Sequence, residues 1–371
     1  MTPGPPAAWA GPALADVLDR VGATRAEVGE RFPLYADPGT GRWVTTGRGA
    51  WTGGFWAGLL WLRSRHTGDP ADRAAASACT ARLADWVAAD TATRGLILWY
   101  GTALAGEDRG ARELRTRAAR AALAAVDAEL GLVPWGSAFG GPRLLARVDG
   151  VPGMAGLLAS AGREGAEAAA AHLNRHLDLC GDGARDGDGD ACGPGGAGRA
   201  FVPAWSYEAD AGADGGGWLA CEDPPPGWSR GRAWLLLAVA DALHRPRVAA
   251  RTPPGRLAEA ARRLAAEPAE LVPPADTARP DGPLDTSAAA ITAVALLKLA
   301  RLPGPGAVKY AERATAILER LVGRHLARGR LLDGCYDAAR GSAVRHELVW
   351  GDFFLAQGLA ELTGLADIRE A

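Results

Sequence analysis

The feature that most constrains this chain is an alternation between two kinds of helical segment. Apolar residues recur at helical spacing near 12–31, 52–66, 71–90, 95–106, 109–129, 150–163, 165–179, 228–244, 254–267, 285–302, 306–326 and 346–364. Within successive pairs one member is small and apolar all round, as in Trp234–Ala242 and Ala288–Ala300. Its partner is Arg-rich and striped, as in Arg256–Ala266 and Val308–Arg324. A helix apolar on every side must be buried, whereas a striped one faces water on one side. Twelve such helices in antiparallel pairs with short connections predict an all-α (α/α)6 barrel, with an inner and an outer helix alternating six times. No alternating β-branched run is convincing enough to predict a strand.

Punctuation supports the division. Gly68-Asp69-Pro70 and Pro303-Gly304-Pro305-Gly306 separate helices, and Asp285-Thr286-Ser287 supplies N-cap oxygens before an apolar stretch. Gly, Asp and Pro crowd together over 180–227, and 181–198 reads as a flexible insertion. Residues 1–371 otherwise read as one continuous barrel domain.

Forty-one basic and 43 acidic side chains leave a formal charge of −2, which gives no electrostatic reason to expect nucleic acid or an anionic membrane as partner. Lys298 and Lys309 are the lysines and the remaining cations are Arg, the mark of a GC-rich bacterial genome. The five cysteines are scattered with no CxxC pair, which fits a reducing compartment. The start has no basic region followed by an apolar one, and no apolar run approaches the ~20 residues of a membrane span. A cytoplasmic protein without a cofactor is the expectation.

Metal motifs are weak. Asp186-Gly-Asp188-Gly-Asp190 imitates a calcium loop, but Ala191 and Ala197 stand where the turn glycine and the bidentate Glu are needed. His172, His176 and Cys180 share a helix face without a fourth zinc ligand nearby. No nucleophile elbow, P-loop or dinucleotide turn has the strand it would need.

Polar and aromatic residues cluster where the inner helices begin: Trp51 to Trp56, Asp149 to Gly153, Trp228 to Trp234, Asp285 to Ser287, and His346 to Asp352. That repetition predicts a pocket at one end of the barrel. Thirteen Trp against six Phe and five Tyr suit a pocket that stacks on sugar faces, although core positions account for Trp equally well. Asp149 is the sharpest residue, either a helix cap or a general acid whose proton affinity apolar neighbours would raise. Arg48, Arg230 and Arg232 are candidates to hold an anionic group.

Six stretches in order, WTGGFWAGLLWL (51–62), RVDGVPGMAGLLAS (147–160), GWSRGRAW (227–234), DTSAAAI (285–291), CYD (335–337) and HELVWGDFF (346–354), resemble the unsaturated glucuronyl hydrolases, glycoside hydrolase family 88. The resemblance implies the same (α/α)6 barrel and removal of a 4,5-unsaturated uronic acid from an oligosaccharide's non-reducing end. It implies that one Asp, matched by Asp149, protonates C4 and activates water for attack at C5 of the enol ether, instead of two carboxylates displacing at the anomeric carbon. Arg230 matches a substrate-pocket arginine, and Trp51 and Trp234 match stacking positions. Trp228, Arg232, His346, Trp350 and Thr93 complete the expected substrate-binding set.

The chain departs from that family at three places. A Thr-His-Asp-x-Gly stretch with a second essential Asp is matched by Thr91-Ala92-Thr93-Arg94-Gly95, and Asp90 lies three residues early. Arg232 replaces a glutamine, and Val202 stands near an expected histidine. Two alternatives follow: a diverged acid/base catalyst of hydration, dehydration or isomerisation in a specialised pathway, or an inactive barrel that binds a sugar or a partner. Convergence of Asp352 or Glu347 on Asp149 would favour catalysis, and an Asp149 that only caps a helix would favour binding.

Overall fold

The computed structural model describes residues 8–181, 201–209, 216–266, 270–304 and 306–371. Residues 182–198 of the expected insertion, with the calcium-like stretch, lie outside them. In chain order the first helices are α1 (Ala10–Val28), α2 (Gly53–Thr67), α3 (Pro70–Ala81), α4 (Tyr100–Ala103, entered through a π turn at Gly95–Trp99), α5 (Arg109–Ala124), α6 (Met154–Ala159) and α7 (Arg163–Cys180). Then come α8 (Ser229–Leu243), α9 (Pro246–Ala249), α10 (Arg256–Ala265), α11 (Thr286–Ala300), α12 (Ala307–His325) and α13 (Val349–Thr363). Each expected helical segment contains a helix, although 87–90 and 125–129 are turns and irregular chain, 346–348 belong to a strand, and α9 is a short addition.

The inner elements form a closed ring: α2 packs on α4, the π turn ahead of α4 packs on α6, and α6, α8, α11 and α13 each pack on the next, with α13 returning to α2. Outside it α3 packs on α2, α5 on α4 and α6, α7 on α6, α10 on α8, α12 on α11, and α1 on α13 and α2. The outer helices bury one stripe, as Leu257, Ala260, Ala261 and Leu264 show for α10 and Ala314, Ile317, Leu318 and Leu321 for α12. The inner α8 instead buries nearly every residue from Ser229 to Ala242.

Close approach of backbones sets the ring's diameter. A methyl group added to Gly54 of α2 would land on the Leu96 and Ile97 carbonyl oxygens of the π turn. Phe55, Tyr100, Trp234, Phe353 and Phe354 fill the centre, with Phe55 centred 5.2–6.1 Å from the other four rings.

Short strands correct the strand-free expectation. They are β1 (Phe32–Ala36), β2 (Trp43–Thr46), β3 (Leu145–Arg147), β4 (Ala204–Glu208), β5 (Gly217–Ala220), β6 (Leu326–Ala327), β7 (Arg330–Leu331), β8 (Gly334–Asp337) and β9 (Ser342–Leu348). They pair antiparallel in the orders β2-β1-β9-β8, β3-β4-β5 and β6-β7. Most lie in the connections that lead into inner helices, so they shape the end of the barrel where those helices start. Most are too short, and too evenly buried, for a period of two to register in the sequence. Among the described residues no helix is long and apolar enough to cross a membrane.

Candidate active site

A cleft of about 740 Å³ opens at that end, a volume within the ~300–1,000 Å³ of small-molecule sites. All six inner-helix starts contribute to its wall. Trp51 precedes α2, Thr93 and Leu96 enter the π turn, Arg147 and Asp149 precede α6, Trp228, Arg230 and Trp234 open α8, Ala275 to Pro283 precede α11, and Cys335 to Ser342 precede α13. Trp135, Phe139, Tyr336 and the loop Glu222–Pro225 complete it.

Asp149 lies in a single 3-10 turn, Val148–Gly150, directly after β3. Its carboxylate makes no cap bond. It accepts Arg147 Nε at both oxygens, 2.8 and 3.1 Å away, with the side chain 16 % exposed to the cleft. The apolar setting expected for Asp149 is thus replaced by a guanidinium. Arg147 in turn lies between two indoles, its Cζ 5.1 Å from the Trp135 ring centre and 5.7 Å from that of Trp228.

Arg230 touches the cleft, but its guanidinium is largely engaged within the protein. Nη1 donates to Asp285 Oδ2 and to the Cys335 carbonyl at 2.6 Å, and Nη2 donates to the Tyr336 carbonyl at 2.7 Å. Asp285 caps α11 as expected, its Oδ1 accepting from the amides of Ser287 and Ala288 and from Ser287 Oγ at 2.6 Å. Trp350 Nε1 donates to the same Ser287 hydroxyl at 3.0 Å. One buried network therefore joins the starts of α8, α11 and α13 to β8, and it underlies the cleft floor. Trp350 belongs to this support and is fully buried, with its ring 4.8 Å from Trp51.

Three other expected binders lie elsewhere. Arg232 donates through Nη2 to the Arg263 carbonyl on the α10 side, because two residues along a helix is ~200° around it. His346 on β9 bonds through Nδ1 to the Val344 carbonyl and packs edge-on to Tyr35, outside the cleft wall. Arg48 stacks on Trp86. Trp51 lines the cleft parallel to Tyr336, with ring centres 6.2 Å apart, and Trp228 and Trp234 line it as expected. Thr93 also lines it, its hydroxyl 2.9 Å from that of Thr91.

The alternative carboxylates do not reach Asp149. Glu347 accepts Arg20 Nε at 2.9 Å and Arg330 Nε at 2.8 Å, and with Asp352 it borders a separate small cavity between α1, α2 and α13. Burial, and then the Glu347 charge, push the Asp352 carboxyl well above the usual range. Asp90 faces outward, where it accepts Ser137 N, Ser137 Oγ and Arg143 Nε. Burial acts against its charge, but the Arg143 and Ser137 bonds outweigh it and hold the carboxyl below its ordinary value.

His172 and His176 are fully buried. Val133 N donates to His172 Nδ1 at 3.1 Å, which places the proton on Nε2, 3.3 Å from the Gly150 carbonyl. Burial, then the neighbouring His176, lower the His172 pKa well below its ordinary value. His172 thus supports the backbone of the Asp149 turn. Among the described residues, no group of three or more His, Cys, Asp and Glu converges to hold a metal. Cys335 lines the cleft, but burial and then Asp285 push its thiol up to about 12, so no thiolate nucleophile is on offer at neutral pH.

No family model matches the chain. The unsaturated glucuronyl hydrolase of Bacillus sp. (strain GL1) is 39% identical over 57 residues, a match that covers 15% of this chain and 15% of that protein's length. Among solved structures, an unsaturated glucuronyl hydrolase from Bacillus sp. GL1, responsible for the degradation of glycosaminoglycan, superposes with a TM-score of 0.77. It is 22% identical, over 95% of this chain and 96% of that one. An unsaturated glucuronyl hydrolase specific for heparin gives a TM-score of 0.78 at 21% identity, over 97% of this chain and 99% of that one. At that identity the likeness establishes the (α/α)6 fold.

Proposed function

We propose that the chain is a diverged glucuronyl-hydrolase-like enzyme that hydrates the C4=C5 enol ether of an unsaturated uronyl sugar, with Asp149 as general acid and base. The observation that carries the reading is the position of Asp149: an oriented carboxylate on the wall of a cleft shared with Trp51, Trp135, Trp228 and Trp234. The cycle starts from protonated Asp149, which delivers its proton to C4 and becomes a carboxylate beside Arg147, and the resulting cation at C5 is stabilised by the ring oxygen. Its carboxylate then takes a proton from the water that attacks C5. The hemiketal so formed opens and releases the remaining sugar. The indoles present faces to the sugar's C–H bonds and edges to water, which fits a sugar-like small molecule as partner. Residues 1–371 form, on this reading, one barrel domain around the cleft, and the scattered cysteines support a cytoplasmic place of action.

Loss of the conjugated C4=C5 absorbance tests it, with chondroitin-, heparin- and gellan-type unsaturated disaccharides as substrates. Wild type is expected to turn over at least one of them, and Asp149→Asn to lose ~100-fold or more of the rate while still folding. No turnover of any of them by wild type would refute hydration of unsaturated uronyl sugars.

A further inference from the structure

We propose that Arg147, rather than Arg230, reads the carboxylate of the substrate, so that one guanidinium holds both the sugar's anionic group and Asp149. The proposal rests on the uronyl-sugar reading above.

The cleft presents four arginines among the described residues: Arg147, Arg230, Arg279 and Arg340. Arg230 is buried and has both terminal nitrogens donating to Asp285 and two carbonyls, so an incoming anion would have to displace those bonds. Arg279 and Arg340 are about three-quarters exposed (76% and 74%), and exposed pairs of this kind are worth little in water. Arg340 pairs with Asp337 at 3.0 Å and with Asp223 at 3.6 Å; Arg279 lies 3.8 Å from Asp276.

Arg147 differs from all three. Only its Nε is engaged, by Asp149, and among the described residues Nη1 and Nη2 donate to no protein group. The side chain is 26% exposed and borders the cleft. The guanidinium lies over the Trp135 and Trp228 rings, which together with the Nε bonds to Asp149 limits the directions the free donors can take before any ligand arrives. A planar guanidinium offers separate edges for two carboxylates, which a lysine ammonium cannot do. With Asp149 on the Nε side, an anion on the terminal nitrogens is held adjacent to it. In a 4,5-unsaturated uronic acid the carboxylate is attached to C5, one bond from the alkene. Binding of that group by Arg147 therefore sets the reacting carbons beside Asp149 and makes the subsite select uronates over neutral sugars.

Methyl β-D-glucuronide and methyl β-D-glucoside are the probes, since they differ in the carboxylate and neither carries an enol ether to turn over. Their affinities for the full chain, measured by NMR titration, are expected to favour the glucuronide by ~10-fold or more, the worth of a charge-assisted paired bond. Arg147→Gln is expected to abolish that preference while changing glucoside affinity less than ~3-fold. Arg147→Lys keeps the charge and is expected to retain part of the preference, which keeps the test open should Arg147→Gln fail to fold. An equal loss for both sugars would reduce Arg147 to a positioner of Asp149 and overturn the proposal. A preference that survives in Arg147→Gln, no preference in wild type, or no binding of either sugar would overturn it too. If wild type prefers the glucuronide through Arg147 but turns over no unsaturated disaccharide, the hydration reading fails and the assignment of Arg147 stands.

Discussion

The buried network under the cleft predicts a coupling that stability measurements can read. Asp285 is fully buried and its partner Arg230 is 4% exposed. Removing one member of such a pair leaves an uncompensated charge, which costs about 3–5 kcal/mol. Asp285 also caps α11 through two amides and the Ser287 hydroxyl, worth about 1 kcal/mol more. Asp285→Ala is therefore expected to cost about 4–6 kcal/mol, a large share of the 5–15 kcal/mol typical of a folded domain. Arg230→Met strands the same pair from the other side and withdraws donors from the Cys335 and Tyr336 carbonyls. The double variant Arg230→Met with Asp285→Asn has no buried charge left, and Asn still caps. It is expected to cost about 2 kcal/mol less than the sum of its two single variants, Arg230→Met and Asp285→Asn. Urea unfolding followed by tryptophan fluorescence gives all the values, as shifts in midpoint at constant slope. Additivity within about 0.5 kcal/mol would show that Arg230 and Asp285 act independently, and would reopen Arg230 as a residue free for substrate.

Two further outcomes follow from the same physics. Because burial and Glu347 raise the folded Asp352 carboxyl above its unfolded value of ~3.9, the native state holds the extra proton, so this group's contribution is complete below pH ~3.9 and is lost as pH rises towards the folded value. Asp352→Asn keeps an acceptor for Leu331 N and is expected to gain stability over wild type with rising pH, at up to ~1.4 kcal/mol per unit; a pH-independent difference between pH 4 and 8 would contradict this. Gly54→Ala drives a methyl group into the Leu96 and Ile97 carbonyls and is expected to cost ~1–3 kcal/mol or more in urea unfolding, and a neutral result would show that the ring can widen there.

The barrel is legible because burial writes itself into helices in two distinct patterns, striped and continuous. Leu257, Ala260, Ala261 and Leu264 of α10 carry one face, and α8 from Ser229 to Ala242 carries none because it is surrounded. The Asp285 cap was equally plain, since a carboxylate before Thr286-Ser287 has few other uses at the head of an apolar run. The short strands were not legible: β1 buries its residues in the order buried, buried, half, half, buried, and β3 has three residues in all. Helix ends and strand pairings that depend on distant partners leave no local period.

That loss explains where the placement of side chains departs from the sequence reading. In the RVDG stretch Asp149 stands out while nothing local marks Arg147, and Arg230 and Arg232 look alike as two pocket cations. Both pairs are two residues apart. Arg147 ends the extended β3 and Asp149 lies in the 3-10 turn that follows at once, and across that junction the two side chains meet at 2.8 Å. In a helix, the same spacing turns by ~200°, so Arg230 faces the cleft and Arg232 faces α10. Asp149, Arg230 and Arg232 stand out in the sequence as candidates, and Arg147 does not. Where Arg147 stands relative to Asp149 depends on β3 being extended, and that is decided by the pairing of β3 with β4 across more than fifty residues of chain.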